Sequence, residues 1–376
     1  MHRVYLDNAA TTALDPDVIQ IMSESMKEDF GNPSSSHSFG RKSRSIIETS
    51  RRNIAKLLNA EPSEIFFMSS GTEADNMAIR GAVRDAGVKH IVTSRIEHPA
   101  VLNTVSHLLR KKKVTVDYVN TNHNGEIDLN HLSSILSKNT NTLVSLMHGN
   151  NEIGNLLNLE KVSSICQANS ALFHSDTVQT IGHYHFDLKK IKIDFLTCSA
   201  HKFHGPKGIG FLYIKKDVNI TPLIHGGSQE RNMRGGTECV YGIAGLSRAM
   251  EVAYSDIINH QNYIEKLKKH MINLINKKLP FATFNGCSDN FNKSLYTVLS
   301  VSFPPSKYDN LLLFNLDLLG VSCSGGSACS SGNVSQSHVI SAIEHQGGAV
   351  VRFSFSKFNT LEDVDFAVNQ LVSLFN

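Results

Sequence analysis

"EIFFMSSGTEADN", residues 64–76, passes in one step from a β-rich run to a turn of small residues that opens a helix. A strand that hands its end to a helix N-terminus is the building unit of a parallel α/β sheet. The pattern then repeats. The runs "HIVTSRI", "TVDYVN", "TLVSLMH", "ALFHSD" and "DFLTCSA" alternate with helix-patterned stretches such as "HPAVLNTVSHLLRKK" and "NLEKVSSICQA", and "GIGFLYIKK" closes the series. Alternation at this spacing predicts a mainly parallel sheet flanked by helices.

Upstream, "DPDVIQIMSESMKEDF" offers Asp15 as an N-cap and Pro16 as the first helical residue, and "RKSRSIIETSRRNIAKLLN" predicts a second helix. Downstream, "IHGGSQERNMRGGTE" is a Gly-rich connection without periodicity, followed by a long helical pair from about residue 238 to 279. The runs "LYTVLSVSFP", "KYDNLLLFNLDLLG", "SHVISAIEHQ", "AVVRFSFS" and "TLEDVDFAVNQLVSLF" then predict a smaller α+β unit. No internal repeat or low-complexity tract appears.

The chain has 376 residues, enough for about two domains. Lysine and arginine number 37 against 34 acidic residues, a balance that predicts no general attraction to nucleic acid or to a membrane surface. The start, "MHRVYLDNAATT", lacks a basic region followed by an apolar run, and no apolar stretch has transmembrane length. A soluble, cytoplasmic protein is expected. The six cysteines are too scattered for a disulfide framework, and Cys323 and Cys329 lack the CxxC spacing of a structural zinc site, so no metal is expected.

In a parallel sheet, ligands bind where strand C-termini meet helix N-termini. At such handovers lie "SSGTEADN", where the backbone around Gly71 and Thr72 is either a phosphate cradle or an ordinary helix cap, and "EHPA", where His98 either caps a helix or stacks on a flat ring. "HSDTVQTIG" ends an apolar run with Asp176, a carboxylate at the mouth of the sheet that suits a ring nitrogen or an N-cap. "SAHKFHGPKGIG" sets Lys202 between two histidines and a rigid turn. That is the setting of a reactive amine, which points to a Schiff base with pyridoxal phosphate.

"YLDNAATT", "SGTEADN", "EHPAV", "HGNNEIG", "SDTVQTIG", "SAHKFHGPKGIG", "GGSQERNMRGGTE", "GSACSSG" and "VRFSFS" together resemble, in order, the signature segments of the cysteine desulfurases, from about residue 4 to 365. These are enzymes of the fold type I pyridoxal 5'-phosphate family, which supply sulfur for iron–sulfur clusters and tRNA thiolation. The resemblance implies that Lys202 holds the cofactor and that His98 stacks on it and relays protons. Asp176 and Gln179 would contact the ring nitrogen and ring hydroxyl, and Thr72, Ser199 and His201 the phosphate. Asn151 and Arg352 would hold the substrate carboxylate, a task that suits the planar fork of arginine. It further implies a large cofactor-binding domain over 15–257 and a small domain made of 1–14 with 258–376, which carries the cysteine loop.

"GGSACSSG" separates this family from ordinary aminotransferases, because glycines and serines around Cys329 describe a mobile loop with a nucleophile. A free thiol is only a few per cent thiolate at neutral pH, so Cys329 needs a neighbour or the bound substrate to deprotonate it. Cys166, Cys198 and Cys323 suit buried packing instead. L-Cysteine would become L-alanine, leaving a persulfide on Cys329 for a sulfur-acceptor protein. The resemblance also places Thr237 on the phosphate of a second subunit, as in a homodimer; locally, Gly235 and Gly236 allow close approach and Thr237 begins a helix. His183 and Ser356 stand where relatives usually have lysine and glycine. A selenocysteine lyase or related carbon–sulfur lyase would share the cofactor residues, whereas a non-catalytic sulfur carrier has no need of Lys202, His98, Asp176 and Cys329 together.

Overall fold

The computed structural model describes residues 2–305, 311–325, 337–343 and 348–375. After the short β1 (Val4–Tyr5), α1 (Pro16–Glu28) begins with Asp15 accepting the Asp17 N–H at 3.0 Å and Pro16 in the first turn. Next come α2 (Ser38–Leu57), β2 (Ile65–Met68), α3 (Gly71–Arg84), β3 (His90–Thr93), α4 (Pro99–Arg110), β4 (Thr115–Tyr118), α5 (Leu129–Leu136), β5 (Thr142–Ser145), α6 (Leu159–Ala168), β6 (Leu172–Asp176), β7 (Phe195–Ser199) and β8 (Gly210–Ile214). They form a seven-stranded sheet ordered β2-β8-β7-β6-β5-β3-β4. Every strand expected from the sequence in this region is present.

From β7 across to β4 the neighbours are parallel, as the alternation predicts, but β8 runs antiparallel to both β7 and β2. The reason lies in the connection. Between Ser199 and Gly210 the chain makes only the tight "HKFHGPKGI" turn, with His204 and Gly208 at positive φ, and carries no crossover helix that would return it in parallel. Both faces of the sheet are covered, which explains the unbroken apolar runs. Phe66, Ile91, Leu143, Phe195 and Leu212 face α3 and α4, while their neighbours Phe67, Val92, Val144, Leu196 and Phe211 face α2, α6 and the later α7 (Val240–Ser255).

A second core forms around the remaining elements: α8 (Ile257–Lys278), β9 (Thr283–Phe284), β10 (Val298–Ser302), α9 (Leu312–Leu318), β11 (Val321–Ser322), α10 (His338–Ala342), β12 (Val350–Ser354) and α11 (Leu361–Ser373). β10 sits between β9 and β12 in an antiparallel sheet, and β11 pairs in parallel with β1. Val4 and Leu6 are buried in this core. The chain then crosses from the small sheet to the large one: the Ala9 N–H donates to Ser354 Oγ on β12 at 2.8 Å, and the Thr12 N–H to the His201 carbonyl just beyond β7 at 2.9 Å. Residues 7–12 therefore lie between the two cores, over the C-terminal ends of β6 and β7. No helix among the described residues is long and apolar enough to cross a membrane.

Candidate active site

At that junction is a cavity of about 410 Å³ lined by Gly71, Thr72, His98, Asn151, Asp176, Gln179, Ser199, His201, Lys202 and Arg352, all expected from the sequence. Cys329 lies outside the described residues. Thr237 does not line this cavity. It borders a separate depression with Arg234 and Gly236, and it does not begin a helix: α7 starts at Val240 with Cys239 as its N-cap. The sequence expectation is corrected here because "GGTE" extends the Gly-rich connection, and the apolar helical period starts only at Val240.

β7 ends at Ser199, and a single 3₁₀ turn, Ala200–Lys202, brings Lys202 to the cavity. Its ammonium donates to the Ala9 and Ala10 carbonyls at 2.6 and 2.8 Å. Beneath it His183, which burial pushes down to about 4 and so keeps neutral, donates from Nε2 to the Lys202 carbonyl at 3.1 Å and accepts the Tyr296 hydroxyl on Nδ1 at 3.0 Å. His183 thus supports the turn from below. His201 touches Thr11 Oγ1 at 3.2 Å, and burial, assisted by Lys202 and Lys207, pushes it down to about 4.

Asp176 closes β6 and accepts the Val178 N–H at 2.9 Å. Burial, then the nearby Asp75 carboxylate, pushes it up to about 6, against the pull of His98. Asp176 thus caps a turn and also lines the cavity. The same is true of His98, the N-cap of α4, whose Nδ1 accepts the Ala100 N–H at 3.1 Å. Burial lowers its pKa, and with Nδ1 accepting, the neutral form of the ring has its proton on Nε2.

Gly71 and Thr72 form the first turn of α3, capped by Ser70 Oγ. A Cβ on Gly71 would stand 2.7 Å from Val178 Cγ2, so only glycine lets this turn lie flush against the cavity wall. Gln179 donates to the Ala9 carbonyl at 2.9 Å. Arg352, on β12, is 1% exposed. Its Nη1 donates to the Asn151 carbonyl at 2.7 Å and its Nη2 to Asp7 Oδ1 at 2.8 Å, while Nε is buried with no partner among the described residues.

Sequence reasoning missed a ring of buried acids and their partners. Asp75 and Glu97 are each pushed up to about 8, chiefly by burial. Asp75 lies 3.3 Å from His174, whose ring also meets Ser145 Oγ and Thr197 Oγ1. Glu97 accepts the Ser94 hydroxyl and the Met147 N–H, and its carbonyl accepts from His338 Nε2 at 2.9 Å. A signal existed for two of them. Asp75 stands one helical step beyond Thr72, and Glu97 immediately precedes His98.

The model of the aminotransferase class-V family matches residues 4–366. A cysteine desulfurase IscS of Dictyoglomus turgidum is 42% identical over 374 residues, 98% of this chain and 93% of its own. A putative cysteine desulfurase, IscS 1 of Bacillus subtilis, is 39% identical and covers 100% of this chain and 99% of its own. Among solved structures, a NifS-like protein superposes with a TM-score of 0.91 at 36% identity, covering 99% of both chains. SspA in complex with cysteine gives a TM-score of 0.78 at 30% identity, covering 95% of this chain and 100% of its own. With a lysine, a buried aspartate and a buried arginine gathered in one cavity and with matches of this length, the chain belongs to the cysteine desulfurase family of class-V, fold type I aminotransferases.

Proposed function

We propose that this chain converts L-cysteine to L-alanine and takes the sulfur onto Cys329 as a persulfide, using pyridoxal 5'-phosphate held by Lys202. The sulfur then goes to an acceptor protein of iron–sulfur cluster assembly or tRNA thiolation. The observation that carries the reading is the convergence of an amine, a buried carboxylate, a helix N-terminus and a buried arginine in one cavity of about 410 Å³. Those groups fit the cofactor. The first turn of α3 has N–H groups without intrahelical acceptors, and the flush backbone at Gly71 brings them to the cavity wall, as a phosphate requires. Asp176 is a carboxylate that burial makes costly to ionise, and a cationic ring N–H beside it offsets that cost.

When bound, the cofactor supplies an electron-withdrawing ring that lets an amino acid release its Cα proton. Asp176 holds the proton on the ring nitrogen. Lys202 Nζ would take the Cα proton, and His98, whose Nδ1 accepts the Ala100 N–H, would stack on the cofactor and relay protons from Nε2. Ser199, His201 and Thr72 hold the phosphate, and Gln179 the ring hydroxyl. Arg352 and Asn151 hold the substrate carboxylate. The Cys329 thiolate forms a bond to the substrate sulfur as the Cβ–S bond breaks; carbon keeps the electron pair and takes a proton. L-Cysteine and the Cys329 thiol therefore give L-alanine and the Cys329 persulfide. The free thiols of Cys166, Cys198, Cys239, Cys287 and Cys323 support a reducing, cytoplasmic setting.

Mass spectrometry of the holoenzyme after exposure to L-cysteine tests the reading. Alanine is expected, together with one added sulfur atom on the peptide containing Cys329. Cys329→Ser is expected to bind cysteine, seen as a change in the cofactor's visible absorbance, and to release no sulfide. Sulfide release by Cys329→Ser at the wild-type rate removes Cys329 from the mechanism, and turnover of L-selenocysteine without turnover of L-cysteine identifies a selenocysteine lyase.

A further inference from the structure

Arg352 is gripped from outside the cavity. Asp7 follows β1 and accepts Nη2–H of Arg352 at 2.8 Å through Oδ1. Ser324 joins the same knot, accepting from Nη2 at 3.0 Å and donating its hydroxyl to Asp7 Oδ1. Across the guanidinium, the Asn151 carbonyl takes Nη1–H at 2.7 Å. Arg352 and Asn151 line the cavity, whereas Asp7 and Ser324 do not.

Asp7 is itself fixed. It bridges to Ser354 on the strand that bears Arg352, and its carbonyl accepts the Ala10 N–H at 3.0 Å and the Tyr5 hydroxyl at 3.1 Å. The carboxylate therefore behaves as part of the frame. An arginine side chain has many rotamers, and its planar fork recognises a carboxylate only when the plane is set beforehand. A carboxylate on the cavity side would compete with a substrate carboxylate. One behind the guanidinium fixes its plane instead and leaves the buried Nε, which has no partner among the described residues, as a donor still to be satisfied.

We propose that Asp7 is a positioning residue for recognition of the substrate carboxylate, holding the Arg352 guanidinium from behind in the plane that the carboxylate meets. The inference rests on the reading of Arg352 as the carboxylate partner. Cysteamine, which has the amine and thiol of cysteine without the carboxylate, separates the two ideas. Apparent Kd values for L-cysteine and cysteamine are read from the cofactor's visible absorbance in wild-type, Asp7→Asn and Arg352→Ala holoenzymes.

Arg352→Ala is expected to erase the preference for cysteine over cysteamine. Asp7→Asn is expected to weaken cysteine binding about tenfold, the scale of one hydrogen bond to a charged group, and to leave cysteamine within about twofold. Unchanged or tighter cysteine binding in Asp7→Asn, with the preference lost in Arg352→Ala, overturns the role of Asp7 alone. A wild-type preference in Arg352→Ala overturns the carboxylate reading beneath it. If Asp7→Asn does not retain cofactor, Ser324→Ala and Asp7→Glu carry the test: a loss selective for cysteine in Ser324→Ala, with Asp7→Glu closer to wild type, supports the proposal, and equal loss for both compounds overturns it.

Discussion

Lys202 sits under two carbonyls of residues 9 and 10, so the N-terminal segment holds its amine at the cavity wall. Lys202→Ala is expected to yield colourless protein after reconstitution, with the apoprotein melting curve unchanged. A yellow variant with the wild-type absorbance band refutes the assignment. The buried acids behind Asp176 make a separate prediction about stability. Asp75 and Glu97 have folded pKa values near 8, far above their values in an unfolded chain, so between about pH 4 and 8 the unfolded state has released protons that the folded state still holds. Their contribution is fully present below the unfolded pKa and is lost as pH rises through 8. Replacing Asp75 by the neutral isostere asparagine should stabilise the apoprotein progressively more from pH 5 to pH 8 and level off above. Melting temperatures across that range check it, and a constant difference between the two proteins counts against a protonated Asp75.

The connection before α7 shows what local sequence hides. Glu230, Arg231 and Asn232 have φ of 45°, 57° and 67°, three successive left-handed residues without a glycine. Each costs on the order of 1 kcal/mol, and the surroundings over-determine them. Glu230 forms a buried two-point pair with Arg51, both contacts at 2.8 Å, and also accepts the Phe67 N–H at 2.7 Å. Arg231 lies over the Phe66 ring and donates to the Ile65 carbonyl at 2.7 Å. Glu230→Ala leaves the buried Arg51 with only the half-exposed Glu48 as counter-ion, at 3.3 Å, and should destabilise the protein by about 3 kcal/mol in chemical denaturation. A loss below about 1 kcal/mol would show that the turn holds itself. Sequence periodicity revealed all seven strands of the large sheet because each is a compact run bounded by turns. It missed the reversal of β8, which depends on the length of a connection, and the start of α7, which glycines obscure. Site residues were legible where they end a strand or open a helix, as Asp176 and His98 do. Asp7 becomes a neighbour of Arg352 only through long-range packing that no local pattern records.

On the scale of the molecule, Thr237 is the one proposed cofactor contact among the described residues that stands away from the cavity of its own chain. Its arm is nevertheless fully built. The Gly235 N–H donates to the Ile224 carbonyl at 2.9 Å, and a Cβ on Gly235 would fall 2.7 Å from Gly226 Cα, so two passes of the chain lie pressed together. Arg234 ties the arm to Glu73 in the first turn of α3 at 3.0 Å. Elsewhere, Ile19 and Met26 share one face of α1, and beyond its end Phe30 and Phe39 are 72% and 52% exposed with rings 5.2 Å apart. Large apolar side chains gathered in this way mark a surface meant to be covered. We propose a two-fold homodimer, which would cover the apolar face and place Thr237 of each subunit on the phosphate in the other. Thr237→Val should therefore lose cofactor faster on dialysis, while dimer mass and apoprotein melting temperature stay as in the wild type. Light scattering that finds an active, cofactor-loaded monomer contradicts this assembly.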